Sequence, residues 1–351
     1  MKVLTYYGPR SLKVESIESI ALKDYQCRIQ SLYSGISHGT EMGAYRGTAP
    51  YFTRDLDPET RLFYDIEERN RLRYPIRSCD DEAWFMGYSN VGTIIDLGSK
   101  VEGFKVGDLV FSHGPHQSIV NKNYKKIFKV PDNIPPEHCV FYTNLVTAYN
   151  AILDTRIKVG DTVVVSGLGV VGQLISQLVK RSGASLVIGI DLHDHRLRIA
   201  KENGIDVCIN PRSISNAAGE IRRLTNNRGA DAVIEVSGNP AALNEAIRMA
   251  APDTTVTAVG WYQGGNSILN LGEEFHQNRI AIRASQTLGT DPSIRHMYDD
   301  KRKSEIGKQL LSELKLHNLI THRIPFEDAP SAYEMIDRNS ENILQVLLTY
   351  G

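Results

Sequence analysis

The chain is short of several things that would fix its class at once. No apolar run approaches the roughly 20 residues that a membrane-spanning helix needs, and the opening MKVLTYYGPR has no long apolar region of the kind found in export signals. Net charge is almost absent, with 40 Lys and Arg against 41 Asp and Glu, so no global field draws the chain to nucleic acid or to an anionic membrane. Cysteine is scarce: Cys27, Cys79, Cys139 and Cys208 lie far apart, with no C-x-x-C pair and no disulfide-like density. Internal repeats and low-complexity segments are missing too. These absences leave a globular protein, expected in the cytoplasm with its thiols buried. At 351 residues and 41% apolar content, the chain can build two domains with real cores.

What is present centres on Val163 to Asp191, VVVSGLGVVGQLISQLVKRSGASLVIGID. A β-branched run enters Gly167-Leu168-Gly169-Val170-Val171-Gly172, and Val171, Leu174, Ile175 and Leu178 then recur at helical spacing. A second apolar run, Leu186 to Ile190, ends in Asp191, where a dinucleotide-binding βαβ unit carries its ribose-binding acid. Gly167 is expected to make the tight turn, Gly169 to let the backbone reach a pyrophosphate, and Gly172 to let helix and strand pack closely. Phosphate would meet free N–H groups at the helix N-terminus. Asp191 can accept from both ribose hydroxyls and repels a 2′-phosphate, which favours NAD over NADP. Arg196 could neutralise such a phosphate; otherwise it is a solvated helix residue.

Residues 1 to about 144 have a different texture. Alternation at Val3 to Tyr7, Leu12 to Val14 and Cys27 to Leu32, punctuated by Pro and Gly, predicts short strands. Beyond the glycine loop, Ala232 to Val236 reads as a buried strand, Ala241 to Ala250 as a helix and Ile280, Ile282 and Ala284 as a further strand, continuing a parallel sheet. Gln286 to Lys303 looks polar and mobile. Helices marked by Ile306, Leu310 and Leu314 and by Ala329, Ala332, Tyr333 and Ile336 follow, and then Ile343 to Leu348 as a strand.

The order Gly35-Ile36-Ser37-His38-Gly39-Thr40-Glu41, Val91-Gly92-Thr93-Ile94, Gly103-Phe104-Lys105-Val106-Gly107-Asp108-Leu109-Val110, Gly160-Asp161 and the glycine loop resembles the medium-chain dehydrogenase/reductase superfamily. Gly229 to Glu235 and Val259-Gly260 resemble two later strands of its nucleotide domain. The resemblance covers almost the whole chain. It implies an α/β protein: a GroES-like β-rich catalytic domain from residues 1–144 and 291–351, and a Rossmann doubly wound parallel sheet from 145–290, with the active site in the cleft. It also implies a homodimer, paired through the strand near Ile282. Val170, Val171, Ser237, Gly238, Val259, Gly260 and Thr147 join the three glycines, Asp191 and Arg196 as expected cofactor-binding positions.

The superfamily's zinc enzymes carry a cysteine before G-T-D, a G-H-E, and a third cysteine or acid before the helix into the coenzyme domain. Here those places read His38 (or Ser37), Gly87-Tyr88-Ser89 and a position near Thr143, and the four-cysteine structural loop is replaced by Phe111 to His116. Catalytic zinc needs three nitrogen, sulfur or carboxylate donors. The expectation is therefore no metal, with a site from His38, Glu41 and His113 as the alternative. Something else must then manage the substrate's proton. Tyr88 could do so if a nearby cation lowered its pKa; otherwise it fills vacated space. His38 could shuttle a proton or contact the pyrophosphate, or be a hydrogen-bonded structural histidine. Thr40 matches the hydroxyl-relay position, Glu41 is expected to orient its neighbours, and His116 of the H-x-x-H pair could reach the pocket. Trp261 and Tyr262 could cover the nicotinamide or pack at an interface.

The stretch Thr48 to Phe85 is the chain's own addition, aromatic and charged with both signs. It is expected to fold over the cleft, with arginines 61, 69, 71, 73 and 77 paired internally rather than with an acidic substrate. A similar insertion ending in G-Y-S occurs in the branch containing bacteriochlorophyllide and secondary-metabolite dehydrogenases. The leading expectation is an NAD-dependent, zinc-independent oxidoreductase interconverting a secondary alcohol and a ketone on a sugar, cyclitol or other polar metabolite. The alternatives are a quinone or enoyl reductase and a dinucleotide-binding protein without catalysis.

Overall fold

The computed structural model describes residues 1–81, 83–263, 269–338 and 341–351. The chain divides into two compact units, Met1–Thr143 with Ile320–Gly351, and Asn144–Leu319.

The first unit is built on Gln26–Ile36, a strand whose side chains alternate between core and surface over its first half. It pairs antiparallel with Asn90–Leu97, Ile119–Asn123 and Gln345–Thr349. Besides Ile119–Asn123, the sheet runs Ile127–Lys129, Leu109–Ser112, Asn90–Leu97, Gln26–Ile36, Gln345–Thr349, Ile320–Pro325. The two central strands approach so closely at Gly92 that a Cβ there would strike the Gln30 carbonyl. One side packs Cys27, Ile29, Ile94, Val110 and Val120; a larger core joins Leu4, Tyr6, Ile36, Met42, Phe85 and Tyr333. The stretch from Thr48 folds onto that larger core through Tyr51, Phe52, Leu72 and Tyr74. Its charges pair locally, as Arg54 with Asp65 and Arg69 with Glu67.

The second unit is a six-stranded all-parallel sheet in the order Val207–Ile209, Leu186–Ile190, Thr162–Ser166, Ala232–Glu235, Thr255–Ala258, Ala281–Ala284. Counted along the chain this is 3-2-1-4-5-6, the doubly wound dinucleotide-binding order. Val170–Arg181 and the helices after it pack on the sheet, burying Val164, Ile188, Ile221, Val233, Ile247 and Val256.

The return to the first unit falls at Ile320 rather than at 291. The reason is a buried polar cluster. Asp291 pairs with Arg156 and Arg283, and its N–H donates to Asp154 Oδ1 at 2.7 Å. Asp154 also accepts from Asn150 and Ser285 at 2.9 and 2.6 Å. The polar segment after Gln286 is therefore tied into the nucleotide unit instead of standing free. Of the thiols, Cys27 and Cys139 are buried, whereas Cys79 and Cys208 are partly accessible; none is paired.

Candidate active site

In the nucleotide unit, Gly167 has φ +93°, a conformation costly to any residue with a Cβ, and its N–H donates to the Ile190 carbonyl at 2.8 Å. A Cβ on Gly172 would be driven into the Gly167 carbonyl oxygen, whereas one on Gly169 would meet nothing within 4 Å. Gly169 is the N-cap of Val170–Arg181, so Val170 and Val171 form the helix's first turn with no capping side chain over it. The structure thus separates a packing glycine from one that only keeps the helix N-terminus open.

Gly167, Asp191, Arg196 and Ser237 line one cavity of about 400 Å³. Asp191 is 8% exposed; Oδ2 accepts from the Leu168 N–H and Oδ1 from the His193 N–H, at 2.8 and 2.9 Å. The carboxylate is held by backbone and keeps acceptor capacity toward the cavity. Arg196 is no solvated helix residue: it is 15% exposed and its Nη1 lies 3.7 Å from Asp191 Oδ2. Gly238, Val259, Gly260 and Thr147 lie outside that lining.

Gly238 and Gly260 belong to a second construction at the carboxyl edge of the same sheet, organised by a residue that motif reading missed. Glu235 is fully buried; it accepts from the Ser237 and Gly238 N–H groups at 2.8 and 3.3 Å and from the Ser237 and Tyr262 hydroxyls. Burial nevertheless raises its pKa. Trp261 beside Tyr262 is half-exposed. The available signal was an acid terminating an apolar strand, where nothing hydrophobic demands it.

In the other unit, the turn after Gln26–Ile36 and the helix Thr40–Arg46 carry Ser37, His38, Thr40 and Glu41. Tyr88 donates to Ser37 Oγ at 2.6 Å and is also hydrogen-bonded by Thr40. Thr143 Oγ1 lies 3.4 Å from the Tyr88 carbonyl oxygen and 3.2 Å from His113 Nδ1. Three separated stretches thus meet as hydroxyls. Burial pushes the Tyr88 phenol up to about 12, with the Glu41 charge adding to the rise. The condition set for Tyr88 as a base, a pKa lowered by a nearby cation, is not met: its phenol is neutral.

Glu41 and His116 are both fully buried and face each other, Nε2 to Oε2, at 2.9 Å. Glu41 also accepts from the Ser37 N–H at 2.8 Å and from the Tyr333 hydroxyl. His116 Nδ1 lies 2.7 Å from Ser34 Oγ, itself 2.7 Å from the Tyr350 hydroxyl. Every polar atom on Glu41 and His116 is thereby engaged inside the core. Their geometry orients the turn bearing Ser37. His38 is half-buried in that turn. Ser34, Tyr333 and Tyr350 were not readable as partners, because Tyr333 sits in an apolar helical stripe and only the fold sets its hydroxyl against Glu41.

Zinc does not fit this donor set. Ser37, Tyr88 and Thr143 offer neutral hydroxyls, and Glu41 is committed to His116, Tyr333 and the Ser37 N–H. Among the described residues, no group of three or more His, Cys, Asp or Glu side chains can hold a metal ion, the set His38, Glu41 and His113 included.

A glycine loop ending a parallel strand, a cavity lined by an acid, and a β-rich unit formed from residues on both sides of it define the α/β dinucleotide-fold class. The chain matches the family described as zinc-binding dehydrogenase over residues 170–299. It is 32% identical over 356 residues to D-guloside 3-dehydrogenase of Escherichia coli (strain K12), covering 100% of both chains. It is 24% identical over 319 residues to (R,R)-butanediol dehydrogenase of Bacillus subtilis (strain 168), covering 82% of this chain and 84% of that one. The crystal structure of 2R,3R-butanediol dehydrogenase from Bacillus subtilis has the same fold, with a TM-score of 0.78 at 20% identity over 99% of each chain. This chain belongs to the zinc-binding dehydrogenase family of the medium-chain dehydrogenase/reductase superfamily. No helix among its described residues is long and apolar enough to cross a membrane.

Proposed function

We propose that the protein is an NAD-dependent dehydrogenase that interconverts a secondary alcohol and a ketone on a sugar-like metabolite without zinc. The observation that carries this reading is the meeting of Ser37, Tyr88 and Thr143, the residues at the family's metal-ligand positions, as hydroxyls. The D-guloside 3-dehydrogenase relative, whose name specifies oxidation at a sugar carbon, supports the substrate class.

The nicotinamide supplies the hydride chemistry when bound. Gly169 leaves the helix N-terminus open, so its N–H groups would hold the pyrophosphate, and Asp191 would accept from the adenosine ribose. In alcohol oxidation the Tyr88 hydroxyl takes the substrate's hydroxyl proton as it passes its own to Ser37 Oγ, the atom it already donates to, and the reverse relay supplies the proton in ketone reduction. His38, two residues from Thr40, is the imidazole in that turn to which the relay passes the proton. Glu41 and His116 position the turn. Arg196 beside Asp191 is the one observation favouring the alternative, an NADPH-dependent quinone or enoyl reductase.

The same reading places a homodimer contact on the edge strand Ala281–Ala284, whose side chains are mostly exposed, and four unpaired thiols suit a reducing compartment such as the cytoplasm. The test is NADH formation from a panel of glycosides and cyclitols by chelator-treated protein of known metal content. Turnover without stoichiometric metal supports the proposal. Activity lost on chelation and restored only by zinc refutes it.

A further inference from the structure

The unit that holds Tyr88 contains a second cavity of about 500 Å³, within the roughly 300–1,000 Å³ typical of small-molecule sites. Gly87, Tyr88 and His113 form part of its wall, so it adjoins the hydroxyl cluster. Trp84, Asp81 and Lys122 contribute chemistry that nothing above uses. Trp84 is 55% exposed. It is nonetheless held edge-on by Tyr51 and Phe85, with ring centroids 4.8 and 5.7 Å away, and those two rings stack on each other at 5.2 Å. An indole so braced is a rigid apolar platform with a polar edge.

Lys122 is half-buried and donates to the His113 carbonyl oxygen at 2.6 Å. Among the described residues no carboxylate forms an ion pair with it, and burial together with Lys126 lowers its pKa. Asp81, on the exposed lip, likewise has no ion-pair partner among the described residues. Two cations, Lys23 and Lys122, and two carboxylates, Asp80 and Asp81, line this one cavity, and none forms an ion pair among the described residues. An anionic ligand would meet Asp81 and the neighbouring Asp80; a cationic one would meet Lys122. A neutral molecule rich in hydroxyls, each able to donate and accept, satisfies both.

We propose that this cavity is a saccharide subsite: a hexopyranoside ring lies with its C–H face on Trp84 and hydrogen-bonds through its hydroxyls to Asp81 and Lys122. It rests on the reading of Tyr88 as the alcohol-handling group only for what is done to the bound ring. Trp84 and Asp81 belong to the stretch from Thr48 to Phe85, which gives that addition a recognition role.

The chain has two tryptophans, Trp84 and Trp261, so Trp261→Phe leaves Trp84 as the sole indole. Titration of this variant without cofactor, using the methyl glycosides of D-glucose, D-galactose and D-gulose, should give a saturable change in emission with at least one. In the same background, Asp81→Asn and Lys122→Met should each raise Kd about tenfold, as expected for losing a hydrogen bond to a charged group. No saturable response to any of the three, or affinities indifferent to both substitutions, overturns the proposal. NADH formation from the same glycosides by the unsubstituted protein is scored separately. Turnover with no Trp84 response keeps the dehydrogenase and removes the subsite; a Trp84 response with no turnover keeps the subsite and removes the dehydrogenase.

Discussion

Cofactor choice offers the sharpest numerical test, because the relevant charges are fixed in one cavity. A 2′-phosphate on the adenosine ribose would approach Asp191, and two unit charges about 4 Å apart interact by about 1 kcal/mol in water and about 4 kcal/mol at an effective dielectric of 20. Arg196, 3.7 Å from the same carboxylate, offsets part of that repulsion. The net preference for NADH over NADPH should then be about 1–3 kcal/mol, or roughly 5- to 150-fold in Kd. Asp191→Asn removes the charge at nearly constant shape and should bring the ratio of the two dissociation constants to about one or below it, since Arg196 then faces the phosphate unopposed. Arg196→Leu should move the ratio the other way. The Asn amide turns an N–H₂ toward either the Leu168 or the His193 N–H, a lost buried acceptor costing about 1–3 kcal/mol, so Tm should fall by a few degrees. Fluorescence titration with each reduced cofactor measures the ratios without any knowledge of the substrate. An Asp191→Asn protein that keeps the parental ratio would sink the assignment of this acid to the ribose.

The glycine loop makes a paired prediction. Gly172→Ala forces backbone apart at Gly167 and should lower Tm sharply, while Gly169→Ala should leave Tm within about a degree and weaken dinucleotide binding; equal effects on both readouts would contradict the division of labour. Tyr88→Phe should reduce turnover by about 10²–10⁴-fold, as expected for losing a positioned proton donor, with the Kd for NADH unchanged. Unchanged turnover removes Tyr88 from the mechanism. Because its pKa is pushed up to about 12, no limb of the rate profile between pH 6 and 10 should vanish in that variant. Glu235 has a folded-state pKa above its unfolded value, so the stability it contributes is full below the ordinary carboxylate range and is lost as pH rises through the folded value. The Tm gap between the parent and Glu235→Gln should therefore be wider in mild acid than at pH 8; a gap independent of pH would refute this.

Most of the nucleotide unit was legible because its signals are local. A strand, three glycines at fixed offsets, a helical stripe and an acid all lie within Val163 to Asp191, and the structure arranges them as the spacing requires. The first unit's hydroxyl cluster was legible only as positions. That Ser37, Tyr88 and Thr143 meet is a tertiary fact, and the Tyr88 pKa depends on burial and on Glu41, neither visible in G-Y-S. The H-x-x-H pair was the hardest to read: identical residues three apart end up in opposite surroundings, His113 exposed and His116 sealed between Ser34 and Glu41. The misplaced boundary at 291 has the same origin, since Asp291 finds its partners at Arg156 and Arg283.

The pairing of Gln345–Thr349 with Gln26–Ile36 has a consequence for biogenesis. A nascent chain presents Asn144–Leu319 whole while the β-rich unit still lacks a strand beside its longest one. The nucleotide half can therefore fold during translation, whereas Tyr33–Ile36, unlike Gln26–Gln30 with its partner Ile119–Asn123, waits for Gln345–Thr349. A chain cut before Gln345 would spare the first and strand the second.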